Sequence, residues 1–196
     1  MKAFHHHKGA VAVLDRMNVD TDQIIPKQFL KRIERTGYGE FLFFDWRFQP
    51  DGKPNPDFEL NQPRYQLATI LLAGANFGCG SSREHAAWAL QDYGFRVILA
   101  PSFSDIFYNN CFQNGLLPIR VPNARMQELF DRAKTLNAYH LNIDLEKQEI
   151  TDDFQIAFSF EIDPFRKDCL LQGLDDIGLT LLHEAEITDY ERRHTP

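Results

Sequence analysis

The feature that most restricts this chain is a strand, glycine-rich turn, helix and second strand spanning residues 67–100. Leu67-Ala68-Thr69-Ile70-Leu71-Leu72-Ala73 is a continuous apolar run and reads as a buried strand. Gly74, Gly78 and Gly80 then interrupt it, and helix-forming residues follow from Ser82 to Tyr93, with Gly94 as the stop. Phe95-Arg96-Val97-Ile98-Leu99-Ala100 reads as the next strand, which completes a β-α-β unit. The turn between the first strand and the helix presents bare backbone N–H groups and the positive end of a helix dipole.

Three familiar glycine motifs do not fit that turn. A dinucleotide loop needs a third glycine where Arg83 stands, and a P-loop needs a Gly-Lys pair that is absent. The esterase elbow needs serine where Gly80 stands. The remaining string is Gly78-Cys79-Gly80-Ser81-Ser82-Arg83-Glu84-His85-Ala86, which adds two hydroxyls and a guanidinium to the anion-favouring turn. A serine-capped helix with a glycine-rich entry would account for Ser81-Ser82 alone. The full string suits a site that holds a carboxylate and handles a proton beside it. Arg83 offers a planar fork that meets both carboxylate oxygens. Glu84 falls in the first helical turn, where the dipole favours an acid. His85 reads as a packed or capping side chain.

The rest of the chain supports α/β layers. Residues 9–14 read as an opening strand, and Asp20 or Thr21 caps a short helical segment whose regularity Pro26 limits. Residues 33–39 read as a mobile loop, and the proline-rich stretch 49–63 as an irregular excursion. A helix near 103–113 leads to a short strand at 117–121, and Asn123 caps a further helix to about residue 138. Residues 140–160 read as two antiparallel strands joined at Thr151-Asp152-Asp153. Pro164 begins a helix that stops at Gly173, and a charged helix closes the chain from about Glu184 to Arg193.

Composition narrows the function classes. A chain of 196 residues with 43% hydrophobic content and 17 Phe is long enough to bury a sizeable aromatic-rich core. Its net charge of −7 argues against a nucleic-acid partner, whose phosphates call for a basic field. The local basic set Lys27, Lys31, Arg32 and Arg35 reads as a solvated face that would also steer a carboxylate. No apolar run approaches the ~20 residues of a membrane span, and no signal peptide is visible, so the expected compartment is the cytosol. Cys79, Cys111 and Cys169 lie far apart and read as free thiols, with Cys79 favoured as a thiolate by the helix N-terminus. His5-His6-His7 is conspicuous, but no function attaches to it.

The nine-residue string resembles the signature of the swivelling domain of the aconitase superfamily. The resemblance extends to Asp20-Thr21-Asp22-Gln23-Ile24-Ile25-Pro26, Phe43-Phe44-Asp45-Trp46-Arg47, Ala100-Pro101-Ser102-Phe103-Ser104, Asn114-Gly115-Leu116-Leu117-Pro118 and Gly173-Leu174-Asp175-Asp176-Ile177-Gly178. These segments look like those of bacterial 3-isopropylmalate dehydratase small subunits, from about Gly9 to about Leu182. The resemblance implies a layered β/β/α swivelling domain, here placed over residues 9–163, with residues 1–8 read as a flexible N-terminus and 164–196 as a helical extension packed on the same domain. It implies Ser81 as the catalytic base, Ser82 and Arg83 as a carboxylate clamp, and Gly78, Cys79 and Gly80 as the anion-loop backbone. It assigns Phe29, Leu30, Lys31 and Arg32 to the pocket for the variable group of a small diacid substrate. Two apolar residues there suit an isopropyl group, and a related citramalate or maleate hydro-lyase is the alternative. Asp20, Thr21 and Asp22 are explained by turn and capping chemistry. No cofactor is expected on this chain, because the family's [4Fe–4S] cluster belongs to a large-subunit partner.

Overall fold

The computed structural model describes residues 1–32 and 34–194. Ile33, which begins the stretch expected to be a mobile loop, and residues 195–196 of the C-terminal extension lie outside the described residues.

A mixed sheet organises the chain. β1 (His6–Leu14), β2 (Ala68–Ala73), β3 (Val97–Ala100) and β4 (Leu117–Arg120) run parallel. β5 (His140–Asp144), β6 (Glu149–Thr151) and β7 (Ala157–Ser159) continue it antiparallel from the other side of β1. The resulting order is β4-β3-β2-β1-β5-β6-β7. β3 is buried at all its positions, and β2 at all but Thr69. That burial is why their sequences are continuous apolar runs rather than alternating ones, since parallel strands are covered on both faces.

The helices supply that cover. α3 (Glu84–Tyr93) links β2 to β3, and α4 (Asp105–Gln113) links β3 to β4. The parallel strands are added in one direction, so right-handed crossovers put both helices on the same face. There they pack on each other. α5 (Asn123–Thr135) carries the return from β4 to β5 and lies against β1 and β2. It buries Met126, Leu129, Phe130 and Ala133, a spacing of three, one and three that makes one helical stripe. Two single-turn helices, α1 (Thr21–Ile24) and α2 (Phe44–Arg47), lie in the long β1–β2 connection. α6 (Pro164–Gln172), α7 (Asp176–Leu181) and α8 (Glu184–His194) close the chain.

Local chemistry explains most boundaries. Asp20 caps α1 by accepting from the Gln23 N–H at 2.8 Å, and Gln23 accepts in return from the Asp20 N–H at 2.9 Å, a complete capping box. Gly94 and Gly173 end α3 and α6 in left-handed conformation. Asn123 does not cap α5. It is the first helical residue, and Pro122 precedes it without a side-chain bond. α7, which no sequence signal announces, is short and capped by Asp175, which accepts from the Gly178 N–H at 2.8 Å.

Several expectations need revision. β1 begins at His6, not Gly9, because β5 offers it a long antiparallel partner from His140 to Asp144. The first eight residues are correspondingly seated and not free. Phe4 is 3% exposed and its N–H donates to the Leu170 carbonyl at 2.8 Å, while the terminal ammonium donates to the Gly173 carbonyl at 2.9 Å. The stretch 140–160 forms three strands, since the chain turns at 145–148 and again at 152–156. The segment expected as a mobile loop ends in a 3₁₀ turn, Tyr38–Phe41, with Tyr38 fully buried.

The second of the turns in 140–160 is organised by one carboxylate. Asp152, whose side chain is 0% exposed, accepts from the Arg132 guanidinium at 2.9 Å and the Tyr139 hydroxyl at 2.8 Å. It also accepts from the Phe154 and Ile156 N–H groups, each at 2.7 Å. Burial alone would raise its pKa, but the Ile156 N–H, the Tyr139 hydroxyl, the Phe154 N–H and Arg132 together hold it below the ordinary value. Asp152→Ala is expected to destabilise the fold by about 3 kcal/mol in urea unfolding, because four donors lose one buried acceptor. The carboxyl is depressed in the folded state. Its contribution is therefore complete above the ordinary aspartate value of 3.8 and is lost as pH falls through the lower folded value. The acid limb of a stability–pH curve should flatten in the alanine variant.

Candidate active site

Parallel pairing of β1, β2 and β3 brings the loops that follow them to one edge of the sheet, where open α/β folds bind ligands. Isolated bridges extend the pairing past the strands, Asp20 with Cys79 and Phe77 with Phe103. The glycine loop is thus stitched on both sides. The Val19 carbonyl accepts from the Gly78 N–H at 2.7 Å and the Cys79 N–H at 3.2 Å. The Thr21 N–H donates to the Cys79 carbonyl at 2.9 Å, and the Thr21 hydroxyl to the Ser81 carbonyl at 2.7 Å. From the third loop, the Ser104 hydroxyl donates to the Gly78 carbonyl. Gly78 has φ +73°, and a Cβ there would lie 2.2 Å from the Phe107 ring, so only glycine fits.

This stitching divides the loop's polar groups. The carbonyls of Gly78, Cys79 and Ser81 are satisfied. The N–H groups of Gly80, Ser81 and Ser82, and the hydroxyls of Ser81 and Ser82, have no partner among the described residues. Gly78 and Cys79, expected to turn their N–H groups to a ligand, direct them to Val19 instead. Gly80, Ser81, Ser82 and Arg83 line a cavity of about 260 Å³ with Thr21 and Phe107. A larger cleft of about 1040 Å³ shares Asp105 with it but is otherwise bordered by residues such as Tyr108, Arg120, Phe160 and Arg166, and holds none of the sequence-predicted residues. Chemistry, not volume, identifies the smaller one.

Arg83 is the strongest charge at this cavity. Its side chain is 10% exposed and ion-paired with Asp22, which also lies 3.8 Å from Lys27 Nζ. The hydrogen bond from Arg83 holds the Asp22 carboxyl below its usual range. The capping box leaves Asp22 free for this contact, since Asp20 alone satisfies the helix end. Turn chemistry, which accounts for Asp22 in the sequence, does not reveal the pairing. The one signal for it is that a single capped turn needs only one of the two aspartates. Arg83 is itself the residue before α3, which starts at Glu84 and leaves Ser81 and Ser82 in the loop.

Cys79 does not sit where the helix N-terminus would favour a thiolate. It lies five residues before α3, and burial together with the Asp20 carboxylate pushes its thiol up. Burial likewise raises Cys111 and Cys169. Among the described residues no three His, Cys, Asp or Glu side chains gather as metal ligands. His85 packs against Trp88 and Tyr38, with ring centroids at 4.6 and 5.3 Å, and burial lowers its pKa.

Phe29, Leu30, Lys31 and Arg32 do not line the Ser81 cavity. Phe29 stacks on Phe41 at 4.1 Å and meets Phe44 edge-on at 4.8 Å, so an aromatic cluster fixes that segment. Lys31 and Arg32 are exposed, with the Arg32 guanidinium 5.1 Å above the Phe41 ring.

Comparison with known proteins fits this geometry. A family model described as the aconitase C-terminal domain matches residues 1–124. A second, describing the C-terminal domain of the 3-isopropylmalate dehydratase small subunit, matches 176–196. The chain is 61% identical to a 3-isopropylmalate dehydratase small subunit of Geobacillus kaustophilus, covering 100% of this chain and 99% of that one. It is 58% identical to its counterpart in Bacillus subtilis, covering 100% and 98%. A crystal structure of 3-isopropylmalate dehydratase from Methanocaldococcus jannaschii shares the fold, with a TM-score of 0.66 at 24% identity over 95% of this chain and 99% of that one. With a mixed sheet of the aconitase C-terminal type and full-length relatives at this level of identity, the chain belongs to the 3-isopropylmalate dehydratase small-subunit family.

Proposed function

We propose that this chain is the small subunit of 3-isopropylmalate dehydratase, interconverting 2-isopropylmalate and 3-isopropylmalate by dehydration and rehydration in leucine biosynthesis. The observation that carries this reading is the unpartnered Ser81 hydroxyl beside free N–H groups and the Arg83 guanidinium, at the mouth of one cavity. Full-length relatives on both sides of 60% identity carry the isopropylmalate name, which disfavours the citramalate or maleate alternative.

The reaction removes a weakly acidic proton next to a carboxylate and expels hydroxide. In this proposal Ser81 takes the proton as an alkoxide. Serine is a very weak acid in water, so the oxyanion needs strong local stabilisation. The N–H groups of Gly80 and Ser82, the α3 dipole and Arg83 supply positive potential fixed before substrate arrives. Ser82 and the Arg83 nitrogens not engaged by Asp22 hold the substrate carboxylate, and Asp22 keeps the guanidinium from swinging away. Phe29 and Leu30, on a segment immobilised by aromatic packing, would face the isopropyl group once substrate and partner are in place.

Departure of hydroxide calls for a Lewis acid. The proposal assigns that role to a [4Fe–4S] cluster on the large subunit, which meets this chain in the cytosol. No helix among the described residues is long and apolar enough to cross a membrane.

Two measurements test the reading. Purified alone, the chain should not turn over isopropylmalate, and activity should appear once it is co-purified with the large subunit and the cluster is reconstituted. Turnover by the isolated chain would refute the division of labour. In the assembled enzyme, Arg83→Lys should lower kcat/KM at least about thirtyfold, the ~2 kcal/mol of one charge-assisted hydrogen bond. Ser81→Ala should lower kcat about a thousandfold, the scale of a lost general base. Near-normal kinetics in either variant would remove that residue from the mechanism.

A further inference from the structure

Glu84 and Asn114 take no part in the chemistry assigned above, yet they form the densest polar cluster beside it. Asn114 is 6% exposed, one of two polar residues, with Thr21, that are buried as whole residues among the described residues. Its side-chain N–H₂ donates to Glu84 Oε1 at 3.1 Å and to the Asn110 carbonyl at 2.8 Å. The Trp88 indole N–H is shared between Glu84 Oε1 at 3.2 Å and Asn114 Oδ1 at 3.0 Å. Arg35 completes the set. One guanidinium nitrogen donates to Asn114 Oδ1 at 3.1 Å and Glu84 Oε1 at 3.3 Å, while the guanidinium carbon lies 5.1 Å from the Trp88 ring centre.

The acceptors in this cluster belong to α3 and the end of α4, but Arg35 comes from the long β1–β2 connection. The same stretch is fastened further along α3. The Tyr38 N–H donates to Asp92 at 2.9 Å, and its ring packs on His85 and Trp88. Gly39 lies so close that a Cβ would sit 2.6 Å from the Tyr93 nitrogen. The 3₁₀ turn therefore runs along α3 from its last helical turn, while Arg35 reaches its first. Glu84 directly follows Arg83, so one helical turn touches both the candidate clamp and the segment that carries Lys31 and Arg32.

We propose that Glu84 and Asn114 are positioning residues that latch Arg35, and through it residues 34–37, to the first turn of α3. The latch sets where the variable-group pocket stands relative to Ser81–Arg83. The arrangement suits that task better than it suits stability. The Arg35 and Glu84 side chains are 65% and 41% exposed, so the ion pair adds little to folding. A buried asparagine that presents one acceptor to Trp88 and Arg35 and its donors to Glu84 and Asn110 fixes orientation through directional bonds. Its kinetic consequence rests on the dehydratase reading above; its structural consequence does not.

Two arms separate those claims. In the full-length chain, tryptic cleavage after Arg35 should accelerate severalfold in Glu84→Gln with a urea midpoint near that of the parent, and at least as much in Asn114→Ser, whose lost buried bonds also lower the midpoint. Unchanged cleavage would overturn the latch. In the enzyme assembled with its large subunit, Glu84→Gln should raise KM for isopropylmalate about three- to fivefold with kcat within twofold. The Glu84→Gln and Arg35→Ala effects should be non-additive when combined. Equal losses of kcat and kcat/KM, or strict additivity, would overturn the positioning role. If the parent assembly does not act on isopropylmalate, the dehydratase reading fails and the proteolysis arm still decides the latch.

Discussion

The Val19 carbonyl holds the candidate site together. By accepting from both Gly78 and Cys79 it extends the β1–β2 pairing beyond the sheet and fixes the path of the glycine loop. Once that path is fixed, Thr21 can reach the Ser81 carbonyl, Ser104 can reach that of Gly78, and Asp22 can reach Arg83. The carbonyls of Gly78, Cys79 and Ser81 are consumed inside the protein, and the N–H groups of Gly80, Ser81 and Ser82 are left for something else. A buried donor without an acceptor is costly, whereas a donor facing a cavity is ready for an anion. The same bonds that order the loop therefore also give it its polarity.

The central β-α-β unit is legible in the sequence because both physical signals agree there. The strands are apolar without alternation and the turn between them is glycine-rich, so period and punctuation point to one arrangement. Ser81, Ser82 and Arg83 come together for the same reason, being neighbours in sequence on a short loop. Asn114 and Asp22 are not legible as partners of the site. Each lies far along the chain from what it touches, and each has a sufficient local explanation, a helix end for Asn114 and a capped turn for Asp22. Local grammar hides long-range pairing whenever it already accounts for the residue.

The N-terminus and the stretch 140–160 mislead for a related reason. His5-His6-His7 has no apolar pattern, and a polar terminus reads as free. Its order comes from β5, whose pairing with β1 supplies backbone bonds that do not depend on side-chain type. In 140–160 the alternation spans both turns, so period alone cannot separate two strands from three. The turn at 145–148 carries no glycine or proline, and Gln148 takes a positive φ of 56° that no sequence signal announces. The later turn is set by Asp152, whose four donors become apparent only when α5 brings Arg132 beside it.

The arrangement of charge at the loop bears on why such a chemistry can be divided between two chains. The Ser81 cavity gathers free N–H groups, a helix dipole and a mostly buried guanidinium that favour negative charge, offset by the carboxylates of Asp22 on Arg83 and Asp105 in the lining. In the proposed mechanism that set would stabilise an alkoxide and a substrate carboxylate, and departure of hydroxide would fall to a Lewis acid on the partner. Groups that attract hydroxide would compete for the same anions if placed beside Ser81, so separation favours both tasks. Arg83 is already balanced by Asp22, so the cavity carries little net charge before substrate enters, and the desolvation penalty of an isolated buried cation is avoided.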